Sequence, residues 1–134
     1  MYQKVIVSLS LDQGFSERAF ETARALKAEN GMIYAVHVYE PLQGSASAYV
    51  TDEAVNQAYS KAKETLDGRV NKAPDVEAVL LKGHSGRAIT DYAHDIGADC
   101  IIVGSHKPGL KDFLLGSTAA RIVRHAPCSV VVLR

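Results

Sequence analysis

The chain has 134 residues, 47% of them hydrophobic, and its 15 basic and 15 acidic side chains leave no formal net charge. This length can bury a core without disulfides or metal ions. The balanced charge argues against a protein whose main task is to bind nucleic acid, because such proteins normally carry a basic excess. The sequence contains neither an apolar run long enough for a transmembrane helix nor a signal-peptide pattern at its start, so we expect a cytoplasmic protein without membrane contact.

Five short apolar runs, rich in Val and Ile and mostly without alternation, predict five strands. Continuous apolar runs are typical of strands that are buried on both faces, as in parallel sheets. In chain order the runs cover residues 4–9, 33–38, 76–81, 100–103 and 128–133.

The first two segments between these runs carry apolar residues at helical spacing and predict two helices. The first helix should stop at Asn30-Gly31, because glycine is common just after a helix. Thr51 is the expected N-cap of the second helix, in whose last turn Gly68 costs about 1 kcal/mol relative to alanine. The two apolar stripes are Phe15, Ala19, Ala23, Leu26 and Val55, Tyr59, Ala62, Leu66, Val70.

Two further helices are predicted in the second half of the chain. Ser85 is the expected N-cap of the third helix and Gly97 its C-terminal residue. The fourth helix should start near Ser117 and end before Pro127. Their inward residues are predicted to be Ile89, Tyr92, Ala93 and Ile96 in the third and Ile122 and Val123 in the fourth.

The strict alternation of strands and helices predicts an α/β fold with a parallel sheet covered on both faces, in one domain that spans residues 1–134. Ligands of such sheets bind beyond the carboxyl ends of the strands, where the strand order reverses. The common order of five strands places the first and fourth side by side at that point. The loops after Leu9 and Val103 are therefore the candidate ligand-binding loops.

Residues 104–118 connect the fourth strand to the last helix and contain the residue types of a phosphate-binding loop. Gly104 allows a ligand to approach the backbone closely. Gly116, Ser117 and Thr118 open a helix with unpaired N–H groups and small hydroxyls, which attract phosphate. The residues alone leave open a second interpretation, in which Gly104 and Gly116 are turn glycines and Ser117 is a plain N-cap. The usual phosphate-loop and dinucleotide-binding motifs are absent.

The C-terminal segment SHKPGLKDFLLGSTAARIVRHAPCSVVVLR, preceded by GADCIIVGS, resembles the universal stress protein family, and in particular its small enterobacterial members. His37-Val38 after the second strand and Gly83 after the third agree with it, and the resemblance covers essentially the whole chain. It implies a flavodoxin-like three-layer sandwich of the adenine nucleotide alpha hydrolase-like type, with a five-stranded parallel sheet in the order 3-2-1-4-5 and four helices. It also implies a homodimer paired through the last strand, Ser129–Leu133, and this apolar strand at a sheet edge would need such cover.

The resemblance further implies a site for ATP or AMP. Members that bind ATP carry Gly-x-x-Gly, nine residues and then Gly-Ser or Gly-Thr, and Gly104, Gly116 and Ser117 match this pattern. Thr118 and Ala119 follow at the helix start, where such members offer further backbone and hydroxyl contacts. His106 stands in the place of a residue that reaches the phosphates or the ribose, and Val38 in the place of the residue whose backbone reads adenine.

The chain departs from the family pattern in two places. Lys107 stands where the second glycine is expected, and the segment from Gly104 to Gly116 is one residue shorter than in members that bind ATP. Lys107 adds positive charge to the loop. The second departure follows the first strand, where the family often has Pro-x-Asp; the final residue here is Ser10, which can hydrogen-bond but lacks the carboxylate.

We considered metal and nucleophile sites elsewhere in the chain. His94 with Asp91 and Asp95, and separately His84, are more simply explained as solvated surface groups, and we expect no metal site. Cys100 and Cys128 lie at the starts of apolar runs, where cysteine behaves as a small hydrophobe. We expect both thiols to be reduced.

Our leading hypothesis is a regulatory protein of the stress response that binds ATP or AMP, with Mg²⁺ as an ion that accompanies the nucleotide. We expect no catalytic residue and at most slow ATP hydrolysis. The alternative is a dimeric interaction module that binds no nucleotide, which the serine at position 10 favours. A nucleotide hydrolase is a third hypothesis, because this fold supports many chemistries.

Overall fold

Strands and helices alternate along the chain in the computed structural model, which describes residues 1–10, 16–41, 48–70, 73–105 and 115–134. The elements in chain order are β1 (Tyr2–Ser8), α1 (Ser16–Leu26), β2 (Lys27–Tyr39), α2 (Asp52–Val70), β3 (Val76–Lys82), α3 (Ser85–Ile96), β4 (Cys100–Gly104), α4 (Ser117–His125) and β5 (Ser129–Leu133). The predicted α/β alternation is confirmed.

All five strands form one parallel sheet in the order β3-β2-β1-β4-β5, as predicted. Strand β1 lies at its centre, between β2 and β4. The side chains of Val5, Ile6 and Val7 are completely buried, because consecutive residues of a strand face opposite sides and both sides of this sheet are covered by helices. This explains why the apolar runs of the sequence do not alternate.

The helices divide between the two faces of the sheet. Helices α1 and α2 contribute Ala19, Ala23 and Leu66 to a core with Val5 and Val7. Helices α3 and α4 contribute Ile89, Ala93, Ala119 and Ile122 to a second core on the other face, with Ile6 and Ile101. The chain thus forms the three layers that the sequence predicts.

The end of the first helix was predicted wrongly. Helix α1 ends at Leu26, and Asn30-Gly31 lies within β2 rather than at a helix stop. Strand β2 starts early because Lys27 pairs with Tyr2, after which the register shifts so that Met32 pairs with Lys4. Gly31 lies so close to β1 that a Cβ atom would sit 2.8 Å from the Tyr2 carbonyl oxygen. This glycine therefore permits close contact between strands; Phe15 of the predicted stripe lies outside the described residues.

The predicted start of α2 is confirmed, whereas that of α3 is corrected. The Thr51 hydroxyl oxygen accepts a hydrogen bond from the Ala54 N–H at 3.1 Å, as an N-cap does. In α3 the N-cap is His84, and Ser85 is already the first helical residue. Gly97 closes α3 in the left-handed conformation with φ 67°, as expected for a C-terminal glycine.

Helix α4 starts at Ser117 and ends at His125, as predicted, but only one of its two predicted inward residues is buried. Ile122 is fully buried, whereas the side chain of Val123 is 50% exposed. The inward face of α4 is formed by Ala119 and Ile122. Val123 is therefore an exposed apolar residue of α4.

Candidate functional site

The sheet reverses its winding between β1 and β4, which lie side by side. Strand β1 leads to α1 on one face, and β4 leads to α4 on the opposite face. The chain therefore departs in opposite directions from two adjacent strand ends, and in sheets of this type the ligand-binding crevice is expected beyond such ends, which here are Ser8 and Gly104. The ends of β1 and β4, from which the two predicted ligand-binding loops start, thus lie side by side.

The end of β4 and the start of α4 are held together by backbone hydrogen bonds. The N–H of Ser105 donates to the Leu133 carbonyl at 2.8 Å, and the N–H of Gly116 donates to the Ser105 carbonyl at 2.6 Å. Ser105 is buried, with 3% of its surface exposed. Ser105 and Gly116, on either side of the intervening segment, thus lie next to each other. His106 and Lys107, which the sequence analysis assigns to this segment, lie outside the described residues.

The first turn of α4 carries no side-chain cap. Its N-cap is Gly116, in an extended conformation with φ −60° and ψ 155°, and no side chain there bonds to the helix. The Gly116 carbonyl accepts the first helical hydrogen bond from Ala120 at 2.8 Å. The N–H groups of Ser117, Thr118 and Ala119 consequently belong to the turn that has no partner within the helix.

The electrostatic character of α4 favours an anion at its start. The first turn contains no acidic residue, while Arg124 and His125 lie in the last turn. Cations at the C-terminal end complement the helix dipole, so its positive end is left without a charged partner on the helix. Ser117 is exposed and Thr118 half-buried, so the Ser117 side chain lies at the surface of this turn.

Strand β2 presents backbone groups to the same crevice. The Val36 carbonyl faces β1, because it accepts a hydrogen bond from the Leu9 N–H at 2.8 Å, whereas the Tyr39 carbonyl faces β3 and accepts from Gly83 at 3.1 Å. Backbone groups alternate in direction along a strand, so the N–H and C=O of Val38 point to the β1 side, beyond the last residue of β1. The Val38 side chain is buried, so only its peptide groups are available beyond the end of β1.

The chain just after β1 is anchored to β2 by His37, a contact that the sequence did not predict. His37 Nδ1 lies 2.9 Å from the Leu9 carbonyl oxygen. Since a carbonyl only accepts, Nδ1 carries the proton and donates. Both backbone groups of Leu9 are therefore tied to β2. Ser10, the next residue, is half-buried.

A chain of hydrogen bonds joins the start of α4 to the start of α3. The hydroxyls of Ser85 and Thr118 lie 2.8 Å apart. The N–H of Ser85 donates to Glu40 Oε1, also at 2.8 Å. Sequence reasoning missed Glu40, because nothing local to Glu40 indicates that it contacts a helix 45 residues further along the chain.

The two cysteines do not form a reactive pair. Cys100 packs into the core beneath α1 and α2, whereas Cys128 packs against the opposite core. Burial raises the pKa of the Cys100 thiol to about 11, and it also raises the pKa of Cys128. Both thiols are therefore protonated at neutral pH, which suits inert structural roles.

The described residues contain no group of three or more His, Cys, Asp or Glu side chains that could hold a metal ion. His94 lies 3.9 Å from Asp95 at the surface, where both side chains are mostly exposed. In the part of the chain that the structure describes, no helix is both long and apolar enough to cross a membrane.

Comparisons with known proteins agree on one family. The family model described as the Universal stress protein family matches residues 1–134. Universal stress protein G of Escherichia coli O157:H7 is 30% identical over 146 residues, which cover 100% of both chains.

Two solved structures extend the comparison to three dimensions. The protein MJ0577 superposes with a TM-score of 0.81 at 25% identity, over 99% of this chain and 96% of that one. A universal stress protein solved in complex with cAMP superposes with a TM-score of 0.61 at 25% identity, over 99% and 97% of the two chains.

Proposed function

The chain belongs to the universal stress protein family, and from this premise we propose that it is a regulatory protein of the stress response that binds ATP or AMP. The nucleotide would occupy the crevice beyond β1 and β4. The observation that carries this proposal is the first turn of α4, which starts at a glycine cap and has neither a side-chain cap nor an acidic residue. Such a turn favours an external anion through its N–H groups and its dipole.

Different residues around the proposed crevice would contact the phosphates, the adenine and the ribose of the nucleotide. The N–H groups of Ser117, Thr118 and Ala119 and the two hydroxyls would hold phosphate, with Gly104 and Gly116 leaving room beside them. The backbone of Val38 offers one donor and one acceptor, which is the pattern that the edge of adenine needs. Ser10 would contact the ribose side. His106 and Lys107 would add contacts and charge at the phosphates.

The choice of an adenine nucleotide is supported by the relative solved with cAMP, which combines adenine with a single phosphate group. We propose that Mg²⁺ enters with ATP and is coordinated by its phosphates. Hydrolysis would be at most slow. The Glu40 carboxylate lies near the start of α4. Its oxygen accepts a hydrogen bond from the Ser85 N–H, so we assign it to the capping of α3 and not to general-base catalysis.

The proposal is tested by calorimetric titration with AMP and ATP. Gly116→Val places a branched side chain where the phosphate would lie, while its extended backbone conformation suits any residue. We expect the affinity to fall at least tenfold. Gly68→Val is the matched control, because a Cβ at Gly68 meets nothing within 4 Å and the residue lies on α2, across the sheet. Equal affinities of wild type and Gly116→Val would contradict the proposal.

The second candidate is a dimeric interaction module that binds no nucleotide. Ser10 favours it, because this position lacks the carboxylate often found in the family, and so does the apolar edge of the sheet. Strand β5 is an edge strand with four half-buried apolar residues, and Val123 of α4 is 50% exposed. We propose that a second copy covers this edge through Ser129–Leu133.

The two candidates differ in what the purified protein carries. A nucleotide-binding protein should release adenine nucleotide on denaturation, seen by absorbance at 260 nm, or unfold at a higher temperature when AMP or ATP is added. Protein without bound nucleotide and without a thermal shift would favour the interaction module. Both candidates predict a dimer in light scattering, so that measurement tests the edge proposal alone.

A further inference from the structure

The Glu40 carboxylate lies two hydrogen bonds away from the turn that we propose as the phosphate site. Its Oε1 accepts from the Ser85 N–H at 2.8 Å, and the Ser85 hydroxyl lies 2.8 Å from that of Thr118. Thr118 is the second residue of α4. A negative charge on Glu40 is therefore within about one Debye length, ~8 Å at physiological salt, of the Thr118 hydroxyl.

The Glu40 carboxylate also lies at the start of the neighbouring helix, α3. The N-cap of α3, His84, makes no side-chain hydrogen bond to its helix, and the first turn of α3 contains no acidic residue. The Glu40 carboxylate supplies both the acceptor and the negative charge that this turn favours. A phosphate group that extends from α4 towards α3 consequently meets a carboxylate at the Ser85 N–H.

We infer that Glu40 is a specificity-determining residue of the proposed nucleotide site, which selects AMP over ATP by the charge of the phosphate chain. This inference rests on the proposed function. Repulsion by a fixed carboxylate grows with the number of phosphate charges near it, so ATP is penalised more than AMP. The contact with Ser85 holds the carboxylate in place, and the Ser85 N–H, which could otherwise donate to a further phosphate, is occupied.

The test compares the affinities for AMP and ATP without divalent cations in wild type, Glu40→Gln and Glu40→Asp. The glutamine keeps an oxygen that can accept from Ser85 but removes the charge; the aspartate keeps the charge. We expect Glu40→Gln to raise the ratio of ATP to AMP affinity roughly two- to fivefold at low salt, and less at high salt. Glu40→Asp should keep a ratio close to that of wild type.

Glu64→Gln is the matched control for net charge. Glu64 is exposed on α2, which covers the opposite face of the sheet, and its loss should leave the ratio unchanged. An unchanged or lowered ratio in Glu40→Gln overturns the inference while AMP binding by the wild type upholds the proposed function. If the wild type binds neither nucleotide, both the proposed function and the inference fall.

Discussion

Helices α3 and α4 start side by side on the same face of the sheet, but their first turns are satisfied in different ways. At α3 the chain supplies its own anion, since the Glu40 carboxylate accepts from the Ser85 N–H. At α4 the cap is Gly116, which has no side chain to offer, and its own N–H is used in a bond to Ser105.

Under the proposed function, this difference explains why a ligand would bind at the start of α4 and not at the start of α3. Every helix begins with N–H groups that lack partners within the helix. A protein that fills such a turn with its own carboxylate stabilises the helix and closes the site. A glycine cap leaves the turn accessible at a cost of only a few tenths of a kcal/mol relative to a good side-chain cap.

The largest predicted effect concerns the packing that keeps the two helix starts together. A Cβ at Gly86 in α3 would lie 2.8 Å from Arg121 Cδ and 2.9 Å from Arg121 Cβ in α4. Gly86→Ala should therefore force the helices apart and lower the free energy of unfolding by about 1–3 kcal/mol, measured by urea denaturation. It should also weaken AMP binding, because the Ser85–Thr118 contact depends on this packing.

Gly68→Ala provides the opposite case. A Cβ at Gly68 has nothing within 4 Å, so alanine should raise the free energy of unfolding by about 0.5–1 kcal/mol through its better helix propensity. If both alanine variants change stability in the same direction, the close approach of α3 and α4 is not what requires Gly86.

The sequence predicted those features of the fold and of α4 that depend on residues close together along the chain. Runs of Val and Ile indicated the strands, and Gly116 followed by Ser117 indicated the start of α4 at the place where the structure has it. The strand order followed from the alternation of elements together with the family resemblance. These features depend on residues that are neighbours along the chain or on a topology that many chains share.

The parts that the sequence did not predict depend on contacts between distant residues. Helix α1 ends at Leu26 because the next residues pair with β1, which overrides the stop signal at Asn30-Gly31. Glu40 and Ser85 are 45 residues apart, and Ser85 and Thr118 are 33 apart. Val123 was predicted to face inward together with Ile122, but the inner face of α4 is formed by Ala119 and Ile122.

Helix α2 has an ordinary side-chain cap, so the cost of a glycine cap in this fold can be measured there. The Thr51 hydroxyl accepts from the Ala54 N–H. Thr51→Ala should lower the free energy of unfolding by about 1 kcal/mol, while Thr51→Gly should cost only a few tenths. Thermal or urea unfolding of the two variants measures the difference. Similar losses in both would show that a glycine cap is more costly in this fold than our account of α4 assumes.

The central claim, that the start of α4 is left open for a phosphate, is tested most directly by giving α4 the kind of partner that α3 has. Gly116→Asp places a carboxylate at the N-cap, in a backbone conformation that suits this role. We predict that this variant is at least as stable as the wild type in thermal unfolding, because the carboxylate satisfies the first turn. We also predict that its AMP affinity in calorimetry falls at least tenfold. Undiminished AMP binding by a folded Gly116→Asp protein would contradict the account.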